Sequence, residues 1–227
     1  MKQLLKTEIS LQWRQGFWLV YFVFTAIYVT VLLNLPEKNR MLVSLILILS
    51  DTTMLGVIFI GALILLEKQQ AVIQSLFVTP LEPSRYIWSK TISLSLIAVC
   101  MSILVYLPVW HFTAYSLLLL ACIAFTAGTF VLLGLGLAVR VDTINQYFGL
   151  MMGASMLLIL PVLPYLLLEQ HPAFLFLPYV ASLDLMLGAR ESLPLWRIFL
   201  DIILLVSWGY LAYKFALRRV SRYLVYK

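Results

Sequence analysis

Apolar residues run along this chain in long, nearly unbroken stretches, and the polar breaks between them come at intervals suited to membrane crossing. The first stretch, 17–34, closes on the loop Pro36-Glu37-Lys38-Asn39-Arg40. The second, 41–66, is 26 residues long. As a helix it would measure roughly 39 Å against a hydrocarbon core of about 30 Å. It is therefore expected to begin outside the hydrocarbon, with Asp51 nearer the outer face than the midplane. Further stretches at 90–110, 115–139, 147–168 and 195–217 bring the expected spans to six. The pattern predicts an all-α polytopic membrane protein with no convincing internal repeat.

Three segments depart from the spanning pattern. Residues 1–15 mix polar and apolar positions: Leu4, Leu5, Glu8, Ile9, Leu11 and Trp13 can share one side of a helix, with Lys2, Lys6 and Arg14 as basic anchors. That predicts an amphipathic interfacial helix preceding a six-span domain over 16–227. Lys6, Glu8 and Arg14 also make the start unlike a cleavable signal. The longest polar interruption is 67–89. The connector 169–194 sets Pro172, Pro178 and Pro194 around apolar pieces too short to span, which predicts short re-entrant or surface helices. Pro161 and Pro164 should break or kink the outer end of the fifth span.

Composition excludes a soluble domain. Apolar residues make up 63% of the 227 and charged residues 11%, where soluble domains carry about 45–50% and about 25%. The net charge of +6 reads as orientation rather than nucleic-acid binding. Of the 16 Lys and Arg residues, twelve fall on the side that holds the N-terminus and four on the other. Both termini are therefore expected to be cytoplasmic. Cys100 and Cys122 lie inside apolar runs and read as inert buried thiols. His111 and His171 stand alone in outer loops, so no metal site is expected.

The segment 67–90, EKQQAVIQSLFVTPLEPSRYIWSK, is the most informative. Glu67 and Lys68 end the second span. Apolar residues at 72, 73, 76 and 77 have helical spacing, and Thr79-Pro80 stops the helix. Ser84 can cap the next one, whose first turns carry Arg85, Tyr86, Trp88 and Lys90 at the interface. A short helix across the cytoplasmic face results, either anchoring the loop or meeting a partner.

This combination resembles the ABC-2 class of ATP-binding-cassette permeases: an acidic-basic end of span two, a short helix, a Thr-Pro turn and Tyr86–x–x–x–Lys90. Within that class it resembles the drug-export permeases for fluoroquinolones, in which an aspartate and a Gly–x–x–Phe–Ile–Gly run precede the acidic end, as Asp51, Gly56, Phe59, Ile60 and Gly61 do here. Where such permeases often have a glycine after the Glu-Lys pair, Gln70-Ala71 stands in this chain. The resemblance implies a type V exporter arrangement. Residues 1–15 would be a connecting helix and about 71–78 a coupling helix seated in a groove of an ATPase subunit. The coupling residues implied are Glu67, Lys68, Gln70, Ala71, Val72, Ile73, Ser75, Leu76, Phe77, Thr79 and Pro80. The connector 169–194 would form extracellular re-entrant helices. Six spans make half a pathway, so a second permease copy or homologue is implied, and with it a dimer in the inner or plasma membrane of a bacterium. The implied cargo is an amphipathic drug, antibiotic or peptide-like molecule moved outward.

No G-x-x-x-x-G-K-[ST] phosphate loop occurs in the sequence. ATP and magnesium therefore belong on a separate ATPase, and no cofactor or catalytic residue is assigned to this chain. Gly149–x–x–x–Gly153, extended by Ser155, gives span five a small-residue face that can serve a twofold interface or intrachain packing. Gly128, Gly134 and Gly136 read as close packing within the chain. Asp51 is a candidate substrate or gating residue, or a helix cap. Arg197 and Asp201 share a helix face and can pair, and Asp184 can cap an outer helix. A haem-exporter-like permease of cytochrome c maturation has a similar span count, and a non-transporting membrane partner such as an immunity protein is a third reading. An intramembrane enzyme would need clustered acids, histidines or an activated nucleophile, and none is apparent.

Overall fold

The computed structural model describes residues 2–70, 72, 82–109, 114–159, 162–167, 174, 176–188 and 194–225. Helix α1 (Lys2–Arg14) turns at Gly16 into α2 (Phe17–Asn34). Gly16 has φ +79°, a left-handed conformation that a residue with a Cβ adopts only under strain. After Pro36 the chain forms α3 (Glu37–Ser50), a wide turn at Asp51–Leu55, and α4 (Gly56–Gln69), continuous as one 33-residue helix. Then follow α5 (Pro83–Tyr106), α6 (Ala114–Ala138), α7 (Ile144–Ile159), the short α8 (Val162–Leu167), α9 (Pro178–Gly188) and α10 (Leu195–Val220), which ends in a second wide turn at Ser221–Val225.

Among the described residues, five helical stretches are long and apolar enough to cross a membrane: Phe17–Asn34, Glu37–Gln69, Pro83–Tyr106, Ser116–Ala138 and Trp196–Tyr223. The fifth expected span, 147–168, is helical on both sides of residues 160 and 161, which lie outside the described residues. Helix α7 ends at Ile159, immediately ahead of the Pro161 region, and only the six-residue α8 follows. Among the described residues the chain is thus an all-helical membrane protein with five evident spans.

Helix α6 is the centre of the bundle, packing against α10, α5 and α4. Small residues permit these approaches. A Cβ at Gly61 would lie 2.0 Å from the Tyr147 ring, and one at Gly134 would lie 2.7 Å from Ile60 Cγ2. Tyr147 itself donates to the Val57 carbonyl at 2.5 Å. At Gly136 a Cβ would meet the Phe215 ring at 2.4 Å. Gly134 and Gly136 thus serve intrachain packing as expected. Gly128 is looser, with its nearest neighbours at 3.6 Å.

The wide turn at Asp51–Leu55 has a local cause. Thr52 Oγ1 donates to the Ile48 carbonyl at 2.6 Å and Thr53 Oγ1 to the Leu49 carbonyl at 2.8 Å. Both hydroxyls compete with the amides for the helix ladder, and one-turn widening of this kind is frequent at functional positions. Asp51 sits near the middle of the 33-residue helix, about 21 Å from its start. The helix starts four residues earlier than expected because Glu37 and Lys38 form its first turn.

Helix α9 is buried from Pro178 to Met186. Eleven residues reach only about 16 Å, too short to cross, and the helix packs against α10, α6 and α3. The connector therefore contributes a core element rather than a surface helix. The rest of 169–194 lies largely outside the described residues.

Candidate functional site

The sequence provides one lysine in the first turns of α5, one glutamate at the end of α4 and one in the middle of α1. The fold brings all three together. Lys90 is fully buried and its Nζ donates to Glu8 Oε1 at 3.0 Å, to Glu8 Oε2 at 3.1 Å, and to Glu67 Oε1. Tyr86, one turn before Lys90, donates its hydroxyl to the other Glu67 oxygen at 2.8 Å. A second polar contact extends the seam: Gln12 Nε2 donates to Ser93 Oγ at 2.7 Å. On α1, residues 8 and 12 share one side, and on α5 residues 86, 90 and 93 share another, so two polar stripes meet where apolar residues would ordinarily pack.

This corrects two sequence expectations. Lys90 and Tyr86 are not interfacial anchors but buried members of an ion cluster. Helix α1 buries Glu8 and Gln12 while Trp13 is 68% exposed, so the face turned to the bundle is partly polar. Burial pushes the Glu8 carboxyl above the usual carboxylate range; the neighbouring Lys90 pulls it down, and the negative Glu67 adds to the rise. Two carboxylates share a single ammonium here, and neither pairs with it alone.

Lys68, the next residue, serves a different helix. Its Nζ donates to the carbonyls of Val139 at 2.8 Å and Val141 at 2.7 Å, and pairs with Asp142 at 3.2 Å. Cations are favoured at such carbonyl-rich helix ends. Glu67 and Lys68 together thus bind the end of α4 to α1, α5 and α6, at the point where the chain leaves for 70–82. Gln70 is exposed and donates its amide to Leu66, and Val72 is half-buried. The remaining residues of the expected coupling helix (Ala71, Ile73, Ser75, Leu76, Phe77) and its stop at Thr79 and Pro80 lie outside the described residues.

The next described helix begins at Pro83, with Glu82 before it. Ser84 is not its cap: its hydroxyl shares a hydrogen bond with Tyr213 at 2.9 Å.

Asp51 is buried, and its Oδ1 has no hydrogen-bond partner. Tyr21 and Tyr28 of α2 lie within its electrostatic reach, and the Tyr21 hydroxyl and Thr25 Oγ1 are likewise buried without partners. It does not cap a helix end. Gly149 and Gly153 face open space, with nothing within 4 Å of a Cβ built at either, and Ser155 is half-buried. The small-residue face of α7 therefore does not pack within the chain. Cys100 and Cys122 are both free thiols.

At the opposite end of the bundle stands a cluster the sequence assigned differently. Arg197 forks onto Asp184, Nε to Oδ2 at 2.6 Å and Nη2 to Oδ1 at 3.0 Å. Tyr165 donates to the same carboxylate and accepts from Arg197 Nη2 at 3.2 Å. Asp184 sits inside α9 and caps nothing. Asp201, the partner that helix spacing suggested for Arg197, is fully buried with neither oxygen hydrogen-bonded. Tertiary placement of α9 overrides the local four-residue spacing. An aspartate inside the apolar segment YVASLDLMLG was the available signal, because such burial demands a partner.

Neither cluster couples a nucleophile to a base. Among the described residues no group of three or more His, Cys, Asp or Glu side chains is placed to hold a metal ion. What the inner cluster can do is mechanical, fastening an N-terminal helix to the stems on both sides of one loop.

These features define a helical membrane protein. The Fluoroquinolones export permease protein family model matches residues 1–227, and the chain belongs to that family. Two relatives are the fluoroquinolones export permease proteins of Mycobacterium tuberculosis strains CDC 1551/Oshkosh and ATCC 25618/H37Rv. Each is 27% identical over 199 residues, covering 86% of this chain and 83% of the relative.

Proposed function

We propose that this permease is the membrane half of an ATP-driven exporter, acting on an amphipathic drug of the fluoroquinolone type and powered by a separate ATPase subunit. The observation that carries the reading is the Glu8–Lys90–Glu67 cluster at the root of the 70–82 loop. A force applied to that loop by an ATPase passes directly into α4 and α5 and, through Lys90, into α1. The three helices then move as one body because breaking the cluster would strand a buried charge. The names of the relatives support the drug class and the outward direction.

Several further features favour this reading. The absence of a phosphate loop from the sequence argues that the chain is a transport subunit, neither an enzyme nor a holder of ATP and magnesium. The open Gly149–Gly153 face and the exposed apolar residues of α2 and α7 suit a second permease copy forming a dimer around the pathway. The excess of Lys and Arg on the N-terminal side favours cytoplasmic termini in a bacterial inner membrane. Helix α9 suits a re-entrant cap over the outer mouth.

The test is to purify the tagged full chain in mild detergent, identify co-purifying proteins and measure norfloxacin accumulation in the expressing cells. A stoichiometric subunit with a phosphate loop and ATPase activity, and accumulation that rises when 71–78 is replaced by Gly-Ser, are the expected results. A chain that purifies without an ATPase and leaves accumulation unchanged sinks the reading.

A further inference from the structure

A groove of about 660 Å³ opens on the membrane-facing side between α5, α6 and α10. Its walls are apolar, with Trp88, Ile92, Leu96, Phe125, Val206 and Tyr210 among them. Trp88 and Phe125 are 40% and 52% exposed, so the groove is open to the bilayer. Gly128 and Gly209 form part of its floor.

Three observations identify an occupant. The first is depth. On α5 the groove runs from Trp88 to Val99, eleven residues or about 16 Å of helix. That is one leaflet of a core about 30 Å thick, too short for a partner helix that crosses the whole bilayer. The second is the aromatic end. Trp88 stacks on Tyr213 with centroids 5.4 Å apart, and Tyr210 lies one turn away on α10. Aromatic residues with polar tips favour headgroup level.

The third observation is charge. Val206, Tyr210, Lys214 and Arg218 follow one another at four-residue spacing along α10, forming one ridge that leaves the groove at its aromatic end. Lys214 Nζ lies 4.7 Å from the Tyr210 ring centroid. Lys214 and Arg218 are exposed, and among the described residues neither has a carboxylate partner. The other charged groups at this rim, Arg85 and Glu82, pair with each other at 3.0 Å. Among the described residues the rim is left with two cations that have no carboxylate partner.

We propose that this groove seats one anionic phospholipid. An acyl chain fills the apolar leaflet-deep portion, and the phosphate lies against Lys214 and Arg218. A basic pocket between spanning helices is the recognised chemistry for an anionic headgroup, and a leaflet-length apolar slot gives it the rest of the lipid.

The experiment is native mass spectrometry of the full purified chain, delipidated and titrated with dioleoyl phosphatidylglycerol or dioleoyl phosphatidylcholine. Wild type binds one phosphatidylglycerol in preference to phosphatidylcholine. The double variant Lys214→Gln/Arg218→Gln loses about fivefold in phosphatidylglycerol affinity per cation removed, with phosphatidylcholine binding unchanged. In Gly209→Leu the new Cβ meets only Thr129 Oγ1 at 3.4 Å and Phe125 at 3.9 Å, so the side chain enters the groove and both lipids are lost. Gly209→Ala binds as wild type and serves as the folding control. If Gly209→Leu fails to fold, the charge variant decides. Equal binding of the two lipids by wild type, or a preference that survives the double variant, overturns the proposal. So does norfloxacin displacing the lipid from wild type, with norfloxacin's own binding lost in Gly209→Leu, which would make the groove a drug site.

Discussion

Two buried ion clusters stand at opposite ends of the bundle, and they are built on different principles. At the inner end one lysine is shared by two glutamates from two other helices. At the outer end one arginine grips an aspartate with a planar two-pronged contact, and a second buried aspartate lies beside that carboxylate. An ammonium is a compact charge with three rotatable donors, so its partners can exchange weight without breaking the contact. A guanidinium fork fixes both distance and plane. The inner arrangement suits a joint that transmits movement, and the outer one suits a clamp that holds α8, α9 and α10 in one arrangement.

The largest break in this comparison should come from Lys90→Met. It leaves Glu8 and Glu67 facing one another without a cation, and removing one partner from a buried ionic group typically destabilises by about 3–5 kcal/mol. Thermal unfolding of the purified chain should shift strongly downwards, and limited proteolysis should cut between α1 and α2 where wild type resists. Adding Glu8→Gln and Glu67→Gln to the same chain should recover most of the loss, since no charge then remains uncompensated. Wild-type unfolding in Lys90→Met would show that the three side chains are not coupled.

The outer clamp should respond to geometry more than to charge. Arg197→Lys keeps the cation but gives up the fork, and the expected loss is about 1.5–3 kcal/mol, the range for a hydrogen bond to a charged group. Asp201→Asn should leave unfolding at or above the wild-type temperature, because it removes a buried acid set against the Asp184 carboxylate. If Asp201→Asn destabilises as much as Arg197→Lys, the guanidinium is shared between the two aspartates and the contrast with the inner cluster disappears.

The spans were legible in the sequence because membrane crossing imposes a length and an apolarity that one residue cannot disguise. Five of them lie where the hydrophobic pattern placed them, with ends displaced by a few residues. The fifth expected run is helical over Ile144–Ile159 and Val162–Leu167, and Pro164 sits inside the second of these helices. The clusters were far less legible. Glu8 and Lys90 are 82 residues apart, and a lysine near the start of a spanning helix looks the same in sequence whether it reaches for headgroups or turns inward. Arg197 has an acid at helical spacing, and that nearby candidate obscured the true partner, Asp184, thirteen residues away on another helix. Local spacing identifies which residues can meet; only the packing of α9 decides which do.

The smallest expected effect concerns protons and separates joint from clamp most finely. The Glu8 carboxyl holds its proton more tightly in the folded chain than the ordinary glutamate value of about 4.3, with burial as the leading cause. The folded state therefore binds more protons than the unfolded state between that value and the raised one. Stability falls as pH rises through this window and grows as pH falls back through it. As the pH is lowered through this window, α1 should dock more firmly, by at most about 1.4 kcal/mol per pH unit. Protonated Glu8 also leaves Lys90 and Glu67 as a balanced pair, so the joint survives the loss of one charge. Glu8→Gln should flatten this part of the profile while leaving the rest intact, which unfolding temperatures measured from neutrality down into the acid range would register. A wild-type chain that loses stability on acidification, with Glu8→Gln abolishing that loss, would mean that the ionised Glu8 is the better-accommodated form and that Lys90 outweighs burial.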